Sequence, residues 1–413
     1  MGVEPWRTAM GRTADLAQLA LALGTGPLFS HLERAHPALV HRTRHEPFAA
    51  RGETFVRMVG SFEKAAFVAK MLGTDGDLVP SARPVRVPPS ATSGGEVLFA
   101  GDALHSGSAA MLSDRLRERI AKAEAFVFNL EGTVGDRGHA IAPLQTLRGI
   151  RQLRDYARAP ENPDWVSRFD AAALRQLASS CARVCASVAN NHTLDDGPEG
   201  FAQTVSRAVA AGLRVVGDAR RELGVATLDL GAHRVGLFAM SYGSNRGGTD
   251  PCHLRFDAVP YRVERQRVEE LVRSLRTKGA SHVVALLHWG HEHEHHPTKE
   301  QRACADRLFE AGVSAIVGHH PHLLQPSEQR DGRWVSWSLG DFVGGDRTIW
   351  SRFAGMVSLR FGAHGRVEGE VVPVVQAPFW EPQRTSLLSE APWLERAVFR
   401  RHFATKMRAG GAP

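Results

Sequence analysis

Cysteine and tyrosine are scarce in this sequence, at four and three among 413 residues, and there is no long apolar run. Cys181, Cys185, Cys252 and Cys304 form no Cys-x-x-Cys pair, which excludes a zinc ribbon, and so few thiols make no disulfide framework. Cys181 and Cys185 stand four apart with no second pair to complete a metal site, so the cysteines read as reduced packing residues. Nothing approaches the roughly 20 apolar residues of a membrane span. The opening Met-Gly-Val-Glu-Pro-Trp-Arg sets an acid and a proline where a secretory signal is basic, and the apolar stretch Leu16 to Leu23 is interrupted by Gln18. A cytoplasmic protein is expected. The formal charge is +7, but the arginines are spread and not interleaved with aromatics, so nucleic acid is not expected. Mild basicity fits an anionic substrate equally well.

The length supports a large core without disulfides or a structural metal. Residues 1–77 read as a helical extension: Phe55, Met58, Phe62, Ala65, Ala66 and Val68 recur near a helical period. Residues 78–95 are rich in proline, glycine and serine and read as a linker. Over residues 96–380 apolar strands alternate with amphipathic helices, which predicts an α/β domain. Residues 381–413 read as a basic helical tail.

Polar groups recur at the C-terminal ends of the expected strands. They are Asp102, Glu131, Asn191 with His192, His288, and His319, His320 and His322 around Pro321. In α/β sheets that edge is where ligands bind, because its loops converge on one crevice. Carboxylates hold divalent cations, neutral imidazoles suit zinc, manganese or iron, and an asparagine carbonyl adds a neutral ligand. One or two metal ions are expected, with His192 beside them as general acid and Asp195 or Asp196 orienting its ring. The histidine-rich run His291 to His296 reads mainly as a polar loop, with Glu292 the exception that reaches the site. Arg151, Arg154 and Arg158 read as a solvated helical face.

Several stretches occur in a telling order: Gly101-Asp102, Asn129-Leu130-Glu131-Gly132, Asn190-Asn191-His192-Thr193-Leu194-Asp195, His288-Trp289-Gly290-His291-Glu292, Gly318-His319-His320-Pro321-His322 and Ser338-Leu339-Gly340-Asp341-Phe342. Together they resemble the CapA family of poly-γ-glutamate capsule synthesis proteins, itself similar to calcineurin-like metallophosphoesterases. The resemblance spans about residues 96–376. It implies a four-layer α/β/β/α sandwich, with Asp102, Glu131, Asn191, His288, His320 and His322 on metal (manganese, iron or zinc) and His192, with Asp195, in catalysis. It also implies either hydrolysis of an anionic substrate by a metal-activated water, or an accessory role beside a biosynthetic ligase. Metallophosphoesterases usually open with Asp-x-His. Here Asp102 is followed by Ala103, Leu104 and then His105, one place too far. Glu292, His105 or His319 is left to complete a second metal position, and Asp341 stands where relatives often carry asparagine.

Overall fold

The computed structural model describes residues 95–104, 111–136, 167–245, 265–292, 294–345, 350–378 and 383–403. The expected N-terminal helices, the linker, His105 and the Arg151 to Arg158 stretch lie outside the described residues.

Two mixed sheets form the frame. The first begins with β1 (Glu96–Ala103), β2 (Ala125–Leu130), β5 (Val184–Ser187) and β6 (Arg214–Val216), all parallel. The short strands β3 (Thr133–Gly135) and β4 (Arg168–Asp170) pair separately. On the far side of β1 the sheet turns antiparallel through β14 (Phe353–Phe361), β15 (Val367–Gln376) and β16 (Thr385–Leu387), and β13 (Asp341–Val343) joins β1 in parallel. The second sheet runs β11 (Ser327–Arg330), β12 (Arg333–Ser336), β10 (Ala315–His319), β9 (His282–His288), β8 (His233–Ser241) and β7 (Ala226–Leu230). Its centre is parallel and its two outer pairs are antiparallel.

Successive side chains of a strand point to opposite faces, so an apolar run with no polar alternation must be covered on both. Val97, Phe99 and Val127 join Leu237, Val284, Leu286 and Val317 in a core between the sheets. The intervening Leu98, Ala100, Phe126 and Phe128 pack instead with residues of three helices. These are α1 (Asp114–Ala121), α2 (Ala171–Ala178) and α3 (Gly197–Ala210). In the second sheet Phe238, Met240, Val283, Ala285 and Ile316 meet α4 (Arg265–Thr277) and α5 (Lys299–Glu310). Side-chain caps open three of the helices, at Ser113 for α1, Asp170 for α2 and Thr298 for α5. Thr298 Oγ1 accepts the Gln301 amide at 3.2 Å and Gln301 Oε1 accepts the Thr298 amide at 3.0 Å, a reciprocal cap at the start of α5.

The last stretch differs from the sequence reading. Rather than a separate tail, β16 belongs to the first sheet, and α6 (Trp393–His402) buries Val398 and Phe399, followed by Phe403, against Leu323, Leu324, Trp350 and Phe353. The helix itself is expected from the sequence as a basic amphipathic one; the partners that cover its apolar face, Leu323, Leu324, Trp350 and Phe353, lie far away in the chain.

Two glycines bring strands close enough to build the site edge. A Cβ at Gly101 would lie 1.8 Å from the Gly340 carbonyl oxygen, and one at Gly318 would lie 1.9 Å from that of Trp337. Any side chain at either would part β1 from β13, or β10 from the Trp337 turn.

His282, at the start of β9, is buried edge-on to His233 and Phe361. Burial, with His233 adding to it, pushes its pKa down to about 4. As pH falls from about 6.5 the unfolded chain takes up this proton and the folded chain does not. The contribution is therefore intact above about pH 6.5 and is lost progressively toward pH 4. His282→Gln should flatten the stability loss between pH 7 and 5 by up to about 2 kcal/mol, read as the difference between the two proteins' urea denaturation curves. Parallel pH profiles would remove the assignment.

Candidate metal centre

Strand register assembles the centre. Asp102 on β1 is level with Asn129 on β2 and with Asp341 on β13, while His288 on β9 is level with His319 on β10 and Ser241 on β8. The two sheets meet at these ends. The His320 amide donates to Asp102 Oδ2 at 3.0 Å, and Asn129 Nδ2 lies 2.8 Å from Asp102 Oδ1 and 3.2 Å from His288 Nδ1. His288 Nε2 is 2.7 Å from Asn191 Oδ1.

Glu131, one residue past β2, sits at the middle. It is wholly buried, and neither carboxylate oxygen has a hydrogen-bond donor among the described residues. Three imidazoles surround Oε1 instead: His288 Nε2 at 3.6 Å, His322 Nε2 at 3.8 Å and His192 Nε2 at 4.0 Å. A buried carboxylate without donors is costly unless a cation neutralises it. Ligating atoms fall within 4.8 Å of one another in three groups: Glu131–His288–His320, Asp102–Glu131–His322 and Glu292–His320–His322. This chemistry, mixed imidazole and carboxylate around a buried carboxyl group without a donor among the described residues, fits a divalent metal. His320 and His322 hold their places with φ of 95° and 57°, in a region non-glycine residues rarely occupy.

The electrostatics follow from burial. Burial, and next Asp102, holds Glu131 well above the usual carboxylate range. Burial, helped by the neighbouring histidines, drives His288 well below the usual imidazole range. Burial acts the same way on His322, but Asp341, Glu131 and Asp102 outweigh it and hold His322 well above. Identical side chains a few ångströms apart are thus driven in opposite directions by their neighbours.

His192 borders the centre on its more open side, with 16% of its side chain exposed. Its Nδ1 is 2.7 Å from Asp195 Oδ2, which also accepts the Ser167 amide at 2.6 Å. Asp196, the alternative partner, turns away to Arg168 and Thr133. Nε2 faces Glu131 and the Asn245 amide, the latter at 3.4 Å.

The structure thus brings Asp102, Glu131, Asn191, His192, Asp195, His288, His320 and His322 together. Glu292 stands with His320 and His322, and Asp341 Oδ1 lies 2.8 Å from His322 Nδ1. His319 belongs to none of the three groups; its Nε2 is 3.2 Å from the Ala100 carbonyl oxygen. Trp289 is packing, buried with its Nε1 donating to the Trp337 carbonyl at 3.0 Å. Sequence reasoning missed Asn129, Asn245 and Tyr242, whose ring centroid is 4.6 Å from that of His320. Asn129 was readable as a strand-end polar residue beside Glu131. Asn245 and Tyr242 carried no local signal.

Fold and site define an α/β protein with a candidate divalent-metal centre where two sheets meet. The profile of the bacterial capsule synthesis protein family PGA_cap matches residues 91–346, more than half of the chain, and the chain belongs to that family. The PGA biosynthesis protein CapA of Bacillus subtilis strain 168 is 30% identical over 198 residues, 45% of this chain and 49% of that protein. The "Probable polyglutamine synthesis accessory protein" of Mycobacterium tuberculosis H37Rv is 27% identical over 173 residues, 39% of this chain and 44% of that protein. The chain therefore spans about half the length of the curated relatives it matches, or less. Among solved structures, the sulfate thiohydrolase SoxB of Thermus thermophilus aligns at 16% identity and a TM-score of 0.34, covering 78% of this chain and 62% of that one. Among the described residues no helix is long and apolar enough to cross a membrane.

Proposed function

We propose that this chain is a metal-dependent, phosphoesterase-type hydrolase of an anionic substrate, acting in the cytoplasm on a four-layer α/β/β/α frame. The observation that carries the reading is Glu131, a wholly buried carboxylate with no donor among the described residues and imidazoles at 3.6–4.0 Å. Asp102, Glu131, Asn191, His288, His320 and His322 would hold one or two ions, manganese, iron or zinc, with Glu292 adjacent. When bound, such ions polarise substrate oxygens and activate water at neutral pH.

The protein's own groups supply the rest. Asp195 accepts from His192 Nδ1, which fixes the ring and leaves Nε2 as the atom that carries the transferable proton. In its protonated form Nε2 gives that proton to the departing oxygen, while the Asp195 carboxylate stabilises the charged ring. Asn245 orients the same edge from the other side. The Tyr242 ring lies beside His320 and His288 at the edge of the centre.

A second reading has its own support. The mycobacterial relative is named as an accessory protein, and the Asp102 loop lacks the Asp-x-His histidine. On that reading the fold works beside a ligase that forms a γ-linked glutamate polymer and hydrolyses nothing. Elemental analysis of the purified protein, with a panel of phosphate esters and γ-glutamyl amides assayed with manganese, iron or zinc added back, separates the two. Stoichiometric metal with turnover supports the hydrolase. Stoichiometric metal without turnover supports the accessory role. Absence of both would end the metal-centre reading.

A further inference from the structure

A buried polar chain links the C-terminal helix to the metal centre. Arg352, just before β14, is 1% exposed despite its charge. Its guanidinium pairs with Glu395 in the first turn of α6, and its Nε donates to the Gln376 carbonyl at 3.0 Å. Gln376 ends β15. Its Nε2 donates to the Asp341 carbonyl at 2.9 Å, and its Oε1 accepts the Gly344 amide at 3.1 Å. Asp341 in turn holds His322 Nδ1 at 2.8 Å.

Two further observations bear on the same place. A Cβ at Gly345, where φ is +75°, would lie 2.0 Å from Asp341 Oδ2, so the loop that Gln376 ties down runs directly over this carboxylate. Leu323 and Leu324, immediately after His322, pack in one cluster with Trp350, Val398, Phe399 and Phe403. The same end of the chain therefore supports His322 through both polar and apolar contacts.

We propose that Gln376, held by the Arg352–Glu395 pair, is a positioning residue for the metal centre. It sets Asp341 so that His322 is bonded through Nδ1 and turns Nε2 toward Glu131, 3.8 Å away. A histidine whose one nitrogen is bonded to a carboxylate has its tautomer fixed and presents the other to a cation. The inference rests on reading His322 as a ligand. Arg352, Gln376 and Glu395 all lie beyond residue 346, where the family match ends. The segment outside the family profile thus takes part in building the centre.

The test uses the full chain. Gln376→Met keeps the shape and removes both side-chain hydrogen bonds. Glu395→Gln is the milder second variant, since removing Arg352 would empty a buried site. Trp393→Ala, at a 72% exposed residue of the same helix, is the reference. Zinc and manganese affinities are measured by chelator competition, and Gly344 amide exchange is measured in chelator-treated protein. Gln376→Met should bind metal about 10- to 100-fold more weakly and expose the Gly344 amide, Glu395→Gln should lose less, and Trp393→Ala should match wild type. Gln376→Met combined with Asp341→Asn should be no worse than Asp341→Asn alone, because both act through one contact. Folded Gln376→Met and Glu395→Gln proteins with wild-type affinity, or additive losses in the double variant, would overturn the inference and leave the hydrolase reading standing. A wild-type protein that takes up no metal removes both. Unchanged Gly344 exchange removes the clamp alone.

Discussion

Glu131→Gln should weaken divalent-metal affinity by at least about 100-fold, roughly 2.7 kcal/mol, while leaving the chelator-treated protein as stable as wild type or more so. The two halves share one cause. The wild-type carboxylate is wholly buried with no donor among the described residues, an arrangement that is costly when ionised and unaccompanied. The amide removes the charge at constant volume. Metal binding stabilises the folded state by mass action, about 4 kcal/mol at a thousand times Kd, so wild type should gain in thermal midpoint with metal and the variant should not. The pH dependence has a definite sign. Burial, then Asp102, raises the folded pKa of Glu131, so its favourable contribution belongs to low pH and is lost as pH climbs from about 4.5 through the raised value. The variant's advantage in chelator should accordingly grow between pH 5 and 7. Equal metal content and equal midpoints in the two proteins would show that Glu131 is an ordinary buried acid.

His192→Ala is expected to lower turnover by about 10²- to 10⁴-fold, the usual contribution of a positioned general acid, with metal content close to wild type. His192 is partly exposed, is bonded to Asp195 and belongs to none of the three groups of ligating atoms. Its removal should thus cost little stability. Asp195→Asn should cost less in turnover than His192→Ala, since the ring remains and loses only its orienting acceptor. Single-turnover assays with metal analysis of the same samples check both. Loss of metal in His192→Ala would reassign the residue from acid to ligand, and an unchanged rate would favour the accessory reading.

The physical distribution of labour in the centre explains why both effects should be large. Asp102 and Glu131 come from adjacent strands of one sheet, and His288 with the His320–His322 turn from the other. Neither sheet holds a complete set, so the centre exists only when the two pack. Gly101 and Gly318 let the Trp337–Gly340 segment, which runs from β12 of the second sheet to β13 of the first, lie against β1 and β10, because a Cβ at either would meet a carbonyl oxygen of that segment at under 2 Å. The left-handed backbone at His320 and His322 stores strain at the same point, a common expense of sites whose side chains must be aimed.

Much of this was legible in the sequence because it is local. Apolar runs too short for helices and bounded by turns mark buried strands, and a polar residue at the end of each marks the ligand edge of an α/β sheet. Asp102, Glu131, Asn191, His288 and the histidine turn could be named from that rule alone. The tertiary structure decided what depends on partners distant in sequence. Strand register set Asn129 between Asp102 and His288, and cross-sheet packing sent His319 to the Ala100 carbonyl while His320 and His322 face Glu131. It chose Asp195 over Asp196 as the partner of His192, because Asp196 is taken by Arg168 and Thr133. It also docked the basic amphipathic tail helix through Val398 and Phe399 and brought its Glu395 to Arg352. Period and propensity record which face of an element is apolar. They carry no record of which distant residue meets that face, and that pairing is fixed only when the sheets close on each other.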